Sequence, residues 1–429
     1  MFLASSYGRT GVIMRTQTRL LVFLCIVLAT GRAMAQSGTY SDIVKYVSPG
    51  GGSITAGPDG ALWFTNGSSI GRITTAGAIT EYSLPSSSGF AWQIVSGPDG
   101  ALWFTDQGTN SIGSITTAGV VTEFAVPGST PFGITTGSDG ALWFTEELGN
   151  QIGRITTAGA VNEYPVTGLC CWPQYIVAGP DGALWITYAG YNLSDVLRMT
   201  TDGAFTVYGV PGLPTGLEEP QQIVAGSDGA LWFAETYGWI FRLTTDGVFT
   251  QYFVPLPGNG DPTQWIAAGP DGALWFTAAC NPCTTAWIGR LTPTGLFTEF
   301  ALGRGSWLFG GITAGPDGGI WFTPHSVKRP GTNYIARAPA CGLGLSAGYN
   351  GPSVTTTFDL GVSRPAIWSV SLQKTSGLKK PLPAVVPPRF ITLNWPAGGL
   401  TGNVLVKSEL SDFSGQVMCA EWTTVSTGK

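Results

Sequence analysis

The chain has 429 residues, of which 43% are hydrophobic and only 11% charged, with 62 Gly, 29 Pro, 16 Trp and a single His. Apolar surface on this scale excludes a disordered chain, and abundant Gly and Pro at low charge exclude a helical bundle in favour of short strands joined by tight turns. One histidine also excludes a metal site built on two or more His of this chain.

At the N-terminus Arg15 and Arg19 precede the apolar run Leu20–Ala29, and Ala33-Met34-Ala35 then leads into Gln36. Basic, apolar and small residues in that order predict a secretory signal peptide over 1–35, cleaved after Ala35, with Met14 as an alternative start. The run is short for a membrane span, and no later stretch is long enough, so the mature chain is expected without a transmembrane segment, secreted or periplasmic. Losing Arg9, Arg15, Arg19 and Arg32 takes the formal charge from −5 to −9. An acidic body argues against nucleic acid and against an anionic membrane surface as partners. Six cysteines remain after Cys25 is removed, an even number that points to disulfides in an exported chain. Cys280-Asn-Pro-Cys283 is expected to close a short loop and Cys341 to pair with Cys419; adjacent Cys170 and Cys171 stay open.

Residues 36–339 are organised by repetition. The motif G-[PS]-D-G-[AG]-[LI]-W begins at Gly57, Gly97, Gly137, Gly179, Gly226, Gly269 and Gly315. Each unit reads as four short strands, a to d. Strand a ends at the motif, as in Gln93-Ile-Val-Ser96. The Pro-Asp-Gly turn leads to strand b, Ala101-Leu-Trp-Phe-Thr105. Strand c is Ile152-Gly-Arg-Ile-Thr156, and a Thr-Ala-Gly turn leads to strand d, Val121-Thr-Glu-Phe-Ala-Val126. This predicts an all-β fold, a seven-bladed β-propeller. The seventh unit lacks a d strand, whereas Ile43-Val-Lys-Tyr-Val-Ser-Pro49 supplies one ahead of the first, so the N-terminal strand is expected to close the ring. The strand-b tryptophans are expected to fill the wedges between blades. The strand-c arginines (Arg72, Arg154 and their counterparts) are expected to pair across strands with Glu81, Glu123, Glu163 and Glu299.

The turns at one face hardly vary between units, whereas the b-to-c and d-to-a loops at the other face do, which places a functional surface there. After strand b come Asn66, Asp106, Glu146, Tyr188, Glu235, Ala278 and Pro324 with His325. The starts of strand a supply Trp92, Gln93, Gln174, Tyr175, Gln221, Gln222, Gln264, Trp265 and Trp307. Together they predict a polar and aromatic ligand rim at a channel mouth. Asp106, Glu146 and Glu235 are candidate ligands for a hard divalent cation, set against solvated rim carboxylates. His325 is the candidate base, with Glu235 and Glu146 as weaker catalytic candidates.

The units Gly-Pro-Asp-Gly-Ala-Leu-Trp-Phe-Thr and Ile-Gly-Arg-Ile-Thr-Thr-Ala-Gly, followed by Thr-Glu-Tyr/Phe, resemble the virginiamycin B lyase (streptogramin lyase) family over about residues 40–338. The resemblance implies a seven-bladed propeller that opens the ester linkage of cyclic streptogramin B antibiotics by elimination with Mg²⁺. It also implies two His at the starts of adjacent a strands and a Glu after a b strand. The matching positions here read Pro220-Gln-Gln-Ile223, Thr263-Gln-Trp-Ile266 and Ala278. The residues therefore point to an exported propeller that binds a small molecule or an envelope partner as a monomer, with the family's catalytic side chains absent. The alternatives are a divergent Mg²⁺-dependent lyase or lactonase-like hydrolase, and a structural envelope or adhesion protein.

Beyond Ala340 the repeat ends. Val354–Leu360 and Ile367–Leu372 alternate apolar and polar residues, the Pro-rich stretch 381–388 interrupts, and strands are expected at 389–394 and 403–407. A small β-sandwich-like domain over 340–429 is the simplest reading.

Overall fold

The computed structural model of the chain describes residues 36–39 and most of 43–339. Within that span it omits 49, 129, 167–171, 191–192, 212–219, 236–237, 255–264, 281–284, 294, 296, 305–306 and 327–332. Beyond 339 it describes the backbone of the strands named below. The signal-peptide segment 1–35 lies outside the described residues, as do Cys170, Cys171, Gln264, Cys283 and Cys341.

Seven four-stranded antiparallel blades follow one another in the order a–b–c–d. Blade one is Ile54–Ala56, Leu62–Asn66, Ser69–Ile73 and Ile79–Ser83; blade two is Ala91–Ser96, Leu102–Asp106, Ser111–Ile115 and Val121–Ala125. Blades three to six start at Pro131–Thr136, Pro173–Ala178, Pro220–Ala225 and Ile266–Ala268. Blade seven takes Trp307–Ala314, Gly319–Ser326 and Tyr334–Pro339 from the end of the repeat. Its d strand is Val44–Val47, antiparallel to Tyr334–Pro339 with Tyr46 opposite Ile335. The N-terminal strand thus closes the ring. A pairing the repeat does not announce sets Gln36–Thr39 parallel to Phe297–Arg304 as a fifth strand on blade six. No helix occurs among the described residues, so none there is long and apolar enough to cross a membrane.

Each blade is pinned by the aspartate of its turn. Asp59 Oδ1 accepts from the Ala61 backbone N–H (3.3 Å) and from Trp63 Nε1 (3.0 Å), while Oδ2 accepts from Arg72 Nε (2.6 Å). The same Asp–Arg pairing recurs in blades three to seven; blade two has Ser114 in place of the arginine. The expected arginine–glutamate pairing across strands c and d is therefore corrected. Arg72 lies opposite Thr80 and Glu81 opposite Gly71, and successive strand residues point to opposite faces, so the two charges sit on different sides of the sheet.

The tryptophans fill the wedges, as expected. Trp63 of blade one packs with Ile94, Leu102, Phe104 and Ile115 of blade two, and Trp321 of blade seven packs with Ile54, Leu62, Phe64 and Ile73 of blade one. Tyr82 on strand d stacks on Trp63 at 5.7 Å and reaches over Gly119 in the next blade's turn. A Cβ at Gly119 would meet the Tyr82 ring at 2.1 Å, and its φ of +90° suits glycine alone. Tyr46 does the same at the closure, stacked on Trp321 at 5.5 Å and set over Gly77. The N-terminal strand thus supplies the side chain that each other d strand supplies, as well as the backbone ladder.

Around the channel, threonine hydroxyls tie neighbours together. Thr65 Oγ1 donates to Trp92 O (3.0 Å), Thr105 Oγ1 to Phe132 O (2.9 Å) and Thr323 Oγ1 to Gly52 O (2.7 Å), the last across the ring closure. After the propeller come two further antiparallel sheets. One is Leu343–Tyr349, Ser353–Leu360 and Phe390–Pro396; the other is Lys379–Pro381, Ile367–Lys374, Gly402–Ser411 and Val417–Thr427.

Candidate functional site

Strand a begins at the channel mouth, and in five blades a register shift interrupts its pairing with strand b, for example between Ala91 and Ile94 and between Pro131 and Ile134. In blades two, three and six the N–H of the strand-a isoleucine is satisfied by a side chain of the preceding blade, Ile94 N donating to Ser53 Oγ (3.4 Å). Gln93 Oε1 accepts from Ile134 N (2.8 Å) and Gln222 Oε1 from Ile266 N (2.9 Å). Trp265 Nε1 likewise donates to Phe309 O (2.8 Å). Gln93, Gln222 and Trp265, expected on an open rim, are thus engaged in fastening blades to one another, and Gln93 and Trp265 are buried. An N–H withdrawn from water must find an acceptor; the two glutamines supply one to a neighbouring backbone, and the Trp265 indole finds its own in Phe309 O.

The aromatic residues form a continuous arc. Phe90 stacks on Trp92 at 6.3 Å, Trp92 meets Phe132 at 5.3 Å, Phe132 meets Tyr175 edge-on at 5.3 Å, and Tyr175 meets Trp265 edge-on at 5.8 Å. Tyr175 is buried; Phe90 is 46% exposed. The indole Nε1 of Trp92 is buried with no hydrogen-bond partner. Phe132 was not among the sequence candidates, although it occupies the place in blade three that Trp92 occupies in blade two. Gln174, at the same place in blade four, donates from Nε2 to Glu147 Oε1 (3.4 Å).

The residues after strand b are not a solvated rim. Asp106, Glu146 and Glu235 are fully buried, and Tyr188 nearly so. Asp106 Oδ1 accepts from the backbone N–H groups of Phe90 (2.7 Å), Gly108 (2.8 Å) and Thr109 (3.1 Å), so one carboxylate folds two loops onto the end of its strand. Gly89 lies so close that a Cβ there would stand 3.0 Å from Asp106 Oδ2. Glu146 packs in the same way under Gly128 in blade three. Tyr188 donates from its hydroxyl to Asn150 Oδ1. Among the described residues no three His, Cys, Asp or Glu side chains come together in a way that would hold a metal ion. The described side chains therefore do not fit the Mg²⁺ that the resemblance implies, and Asp106, Glu146 and Glu235 belong to separate blades.

The acids differ in their electrostatics. Burial alone would raise the Asp59 carboxyl, but hydrogen bonds from Trp63 and Arg72 hold it below its ordinary value; Asp139, Asp181, Asp228 and Asp317 behave alike. Glu123 is pushed up, first by burial and then by the charge of Asp106. His325 lies in strand b of blade seven opposite Leu308, and Trp307 opposite Ser326; their side chains lie outside the described residues. Cys280 ends strand b of blade six and Cys419 lies opposite Leu410 in the last sheet, again with side chains outside them.

Comparison with known proteins follows the repeat. The model of the Virginiamycin B lyase family matches residues 39–259 and 220–337. A solved streptogramin B lyase is 31% identical, with a TM-score of 0.60, over 69% of this chain and 96% of its own. The virginiamycin B lyase of Staphylococcus aureus is 34% identical, with a TM-score of 0.60, over 69% of this chain and 97% of its own. A catalytically inactive variant of the Staphylococcus aureus enzyme, with a histidine replaced by alanine and with quinupristin present, is 33% identical (TM-score 0.61) over 69% of this chain and 98% of its own. No curated protein matches the chain.

Proposed function

We propose a function from the premise that this chain belongs to the virginiamycin B lyase family. It is an exported propeller of that family that binds a small molecule or an envelope partner at the channel mouth and does not carry out the lyase reaction. The observation that carries this reading is the single histidine, His325, on strand b of blade seven. The Staphylococcus aureus relative is inactivated when one histidine becomes alanine. Elimination needs a base for the proton α to the ester carbonyl and an electrophile for the developing enolate. The starts of strand a in blades five and six offer instead Gln222 and Trp265, both committed to inter-blade hydrogen bonds, and strand b of blade six continues through the buried Ala278. What the mouth keeps is the aromatic arc of Phe90, Trp92 and Phe132, whose faces suit a flat apolar, aromatic or sugar ring.

The test is incubation of the purified protein with quinupristin and Mg²⁺, read by mass spectrometry. No linearised product is expected; linearised product that disappears on His325→Ala would overturn the reading. A thermal-shift panel of cyclic peptides and sugars then checks binding. A stabilising compound should lose its effect on Trp92→Ala, and an effect untouched by that change would move the site elsewhere.

A further inference from the structure

The residue after strand b and the central residue of strand d lie on one face of each blade, and in blade one they bond directly. Asn66 Nδ2 donates to Glu81 Oε1 at 2.8 Å. One partner is an amide and the other a carboxylate, so a donor is present. Blade five also combines the two types, with Glu235 after strand b and Gln251 opposite Phe241 on strand d. Blades two and three break the pattern, each with two carboxyls on this face: Glu146 and Glu163 in blade three, and Asp106 and Glu123 in blade two, the latter pair two acceptors if both are ionised.

Among the described residues of blade two and of the blade-one face packed on it, no free cation neutralises the blade-two pair. Between residues 84 and 128 the only titratable side chains are Asp99, Asp106 and Glu123, with no Lys, Arg or His. Asp99 is on the opposite face, accepting from Trp103 Nε1 at 3.1 Å. Across the wedge, blade one turns Tyr82 and Arg72 toward this face, and Arg72 is paired with Asp59. Asp106 is fully buried, and its Oδ2 has no hydrogen-bond partner although Oδ1 has three; Glu123 Oε1 is also buried without one. Two orphaned acceptors on neighbouring carboxyls are what a missing proton between them would leave.

We propose that blade two is fastened by a proton: Glu123 stays protonated in the folded protein and donates its carboxyl O–H to Asp106 Oδ2, the mirror of the Asn66–Glu81 bond in blade one. The bond completes the carboxylate that holds Phe90 and the b-to-c loop, so alkaline conditions, by removing this proton, set two like charges against each other beneath the aromatic arc. The upward push on Glu123 by burial and by Asp106 agrees with this arrangement. A carboxyl raised in the folded state stabilises fully below its unfolded value, roughly 4.3, and that contribution is lost as pH rises through the folded value. The inference extends the ligand-binding reading to its regulation, but its test needs no ligand and so fails or succeeds independently.

Thermal unfolding of the full chain is measured between about pH 5 and about pH 8 for the wild type, Glu123→Gln and Asp106→Asn. Glu123→Gln supplies a permanent donor. Its melting temperature should exceed the wild type's by roughly 2–4 °C at the alkaline end, with the gap closing toward the acid end. Asp106→Asn, which copies blade one, should flatten the same slope, and it keeps the question answerable if the first variant folds poorly. A gap that does not change with pH in either variant would overturn the proposal. So would calcium or magnesium at millimolar concentration restoring the wild type at alkaline pH but not Glu123→Gln, since a cation would then join the pair.

Discussion

Asp59 and its counterparts outside blade two use one carboxylate for three tasks: closing the turn that precedes strand b, holding the indole of the wedge tryptophan and anchoring the strand-c arginine. Replacing Asp59 with alanine leaves Trp63 Nε1 and Arg72 without their acceptor. Urea unfolding should register a loss of about 1–3 kcal/mol. The sign of the pH effect follows from the lowered carboxyls. Their contribution is present above the unfolded value of about 3.9 and is lost as pH falls through the folded values, so Asp59→Asn should show a shallower acid slope by circular dichroism. The residue types of this network were legible in the sequence, but the partner was not. Arginine and glutamate recur side by side along the repeat, and only the strand-c to strand-d register, with Glu81 opposite glycine and Arg72 opposite threonine, shows that they face apart.

At the scale of the strand, the repeat disclosed the a–b–c–d order because the turns are spelled out by Pro-Asp-Gly and Thr-Ala-Gly and the apolar positions alternate. It disclosed less of the mouth. Position after strand b tells which end of the blade a side chain occupies, but whether Asp106 meets water depends on loops 84–90 and 107–110 folding back onto it, which their Ser- and Gly-rich sequences do not declare. Phe132 was legible in principle, since aligning the repeats sets it beside Trp92. The threonine links between blades are a further strand-level device. Thr105→Val removes the donor to Phe132 O and the acceptor for Gln93 N. It should cost about 1–2 kcal/mol in urea unfolding, while Ala234, at the same place in blade five, marks a link the protein lacks already.

For the whole molecule, the decisive event is closure. A propeller's blades bury their faces only against neighbours, so an open ring would expose the Trp321 wedge and the edge of Tyr334–Pro339. Both are covered by four residues that lie nearly 300 positions away in sequence, Val44–Val47, with Tyr46 over Trp321. The missing seventh d strand made this legible before any coordinates. The parallel addition of Gln36–Thr39 to blade six was not, because parallel pairing to an outer edge leaves no periodic mark on so short a segment. The closed ring rests on the register of Val44–Val47 against Tyr334–Pro339. A cysteine pair at Lys45→Cys and Ala336→Cys, which face each other across the closing strands, tests it most directly. Under mild oxidation a disulfide joining these positions, identified by peptide mass spectrometry, is the predicted result. Absence of that bond in folded protein, or preferential bonding of the Lys45→Cys thiol to a position on another blade, would contradict the closed ring.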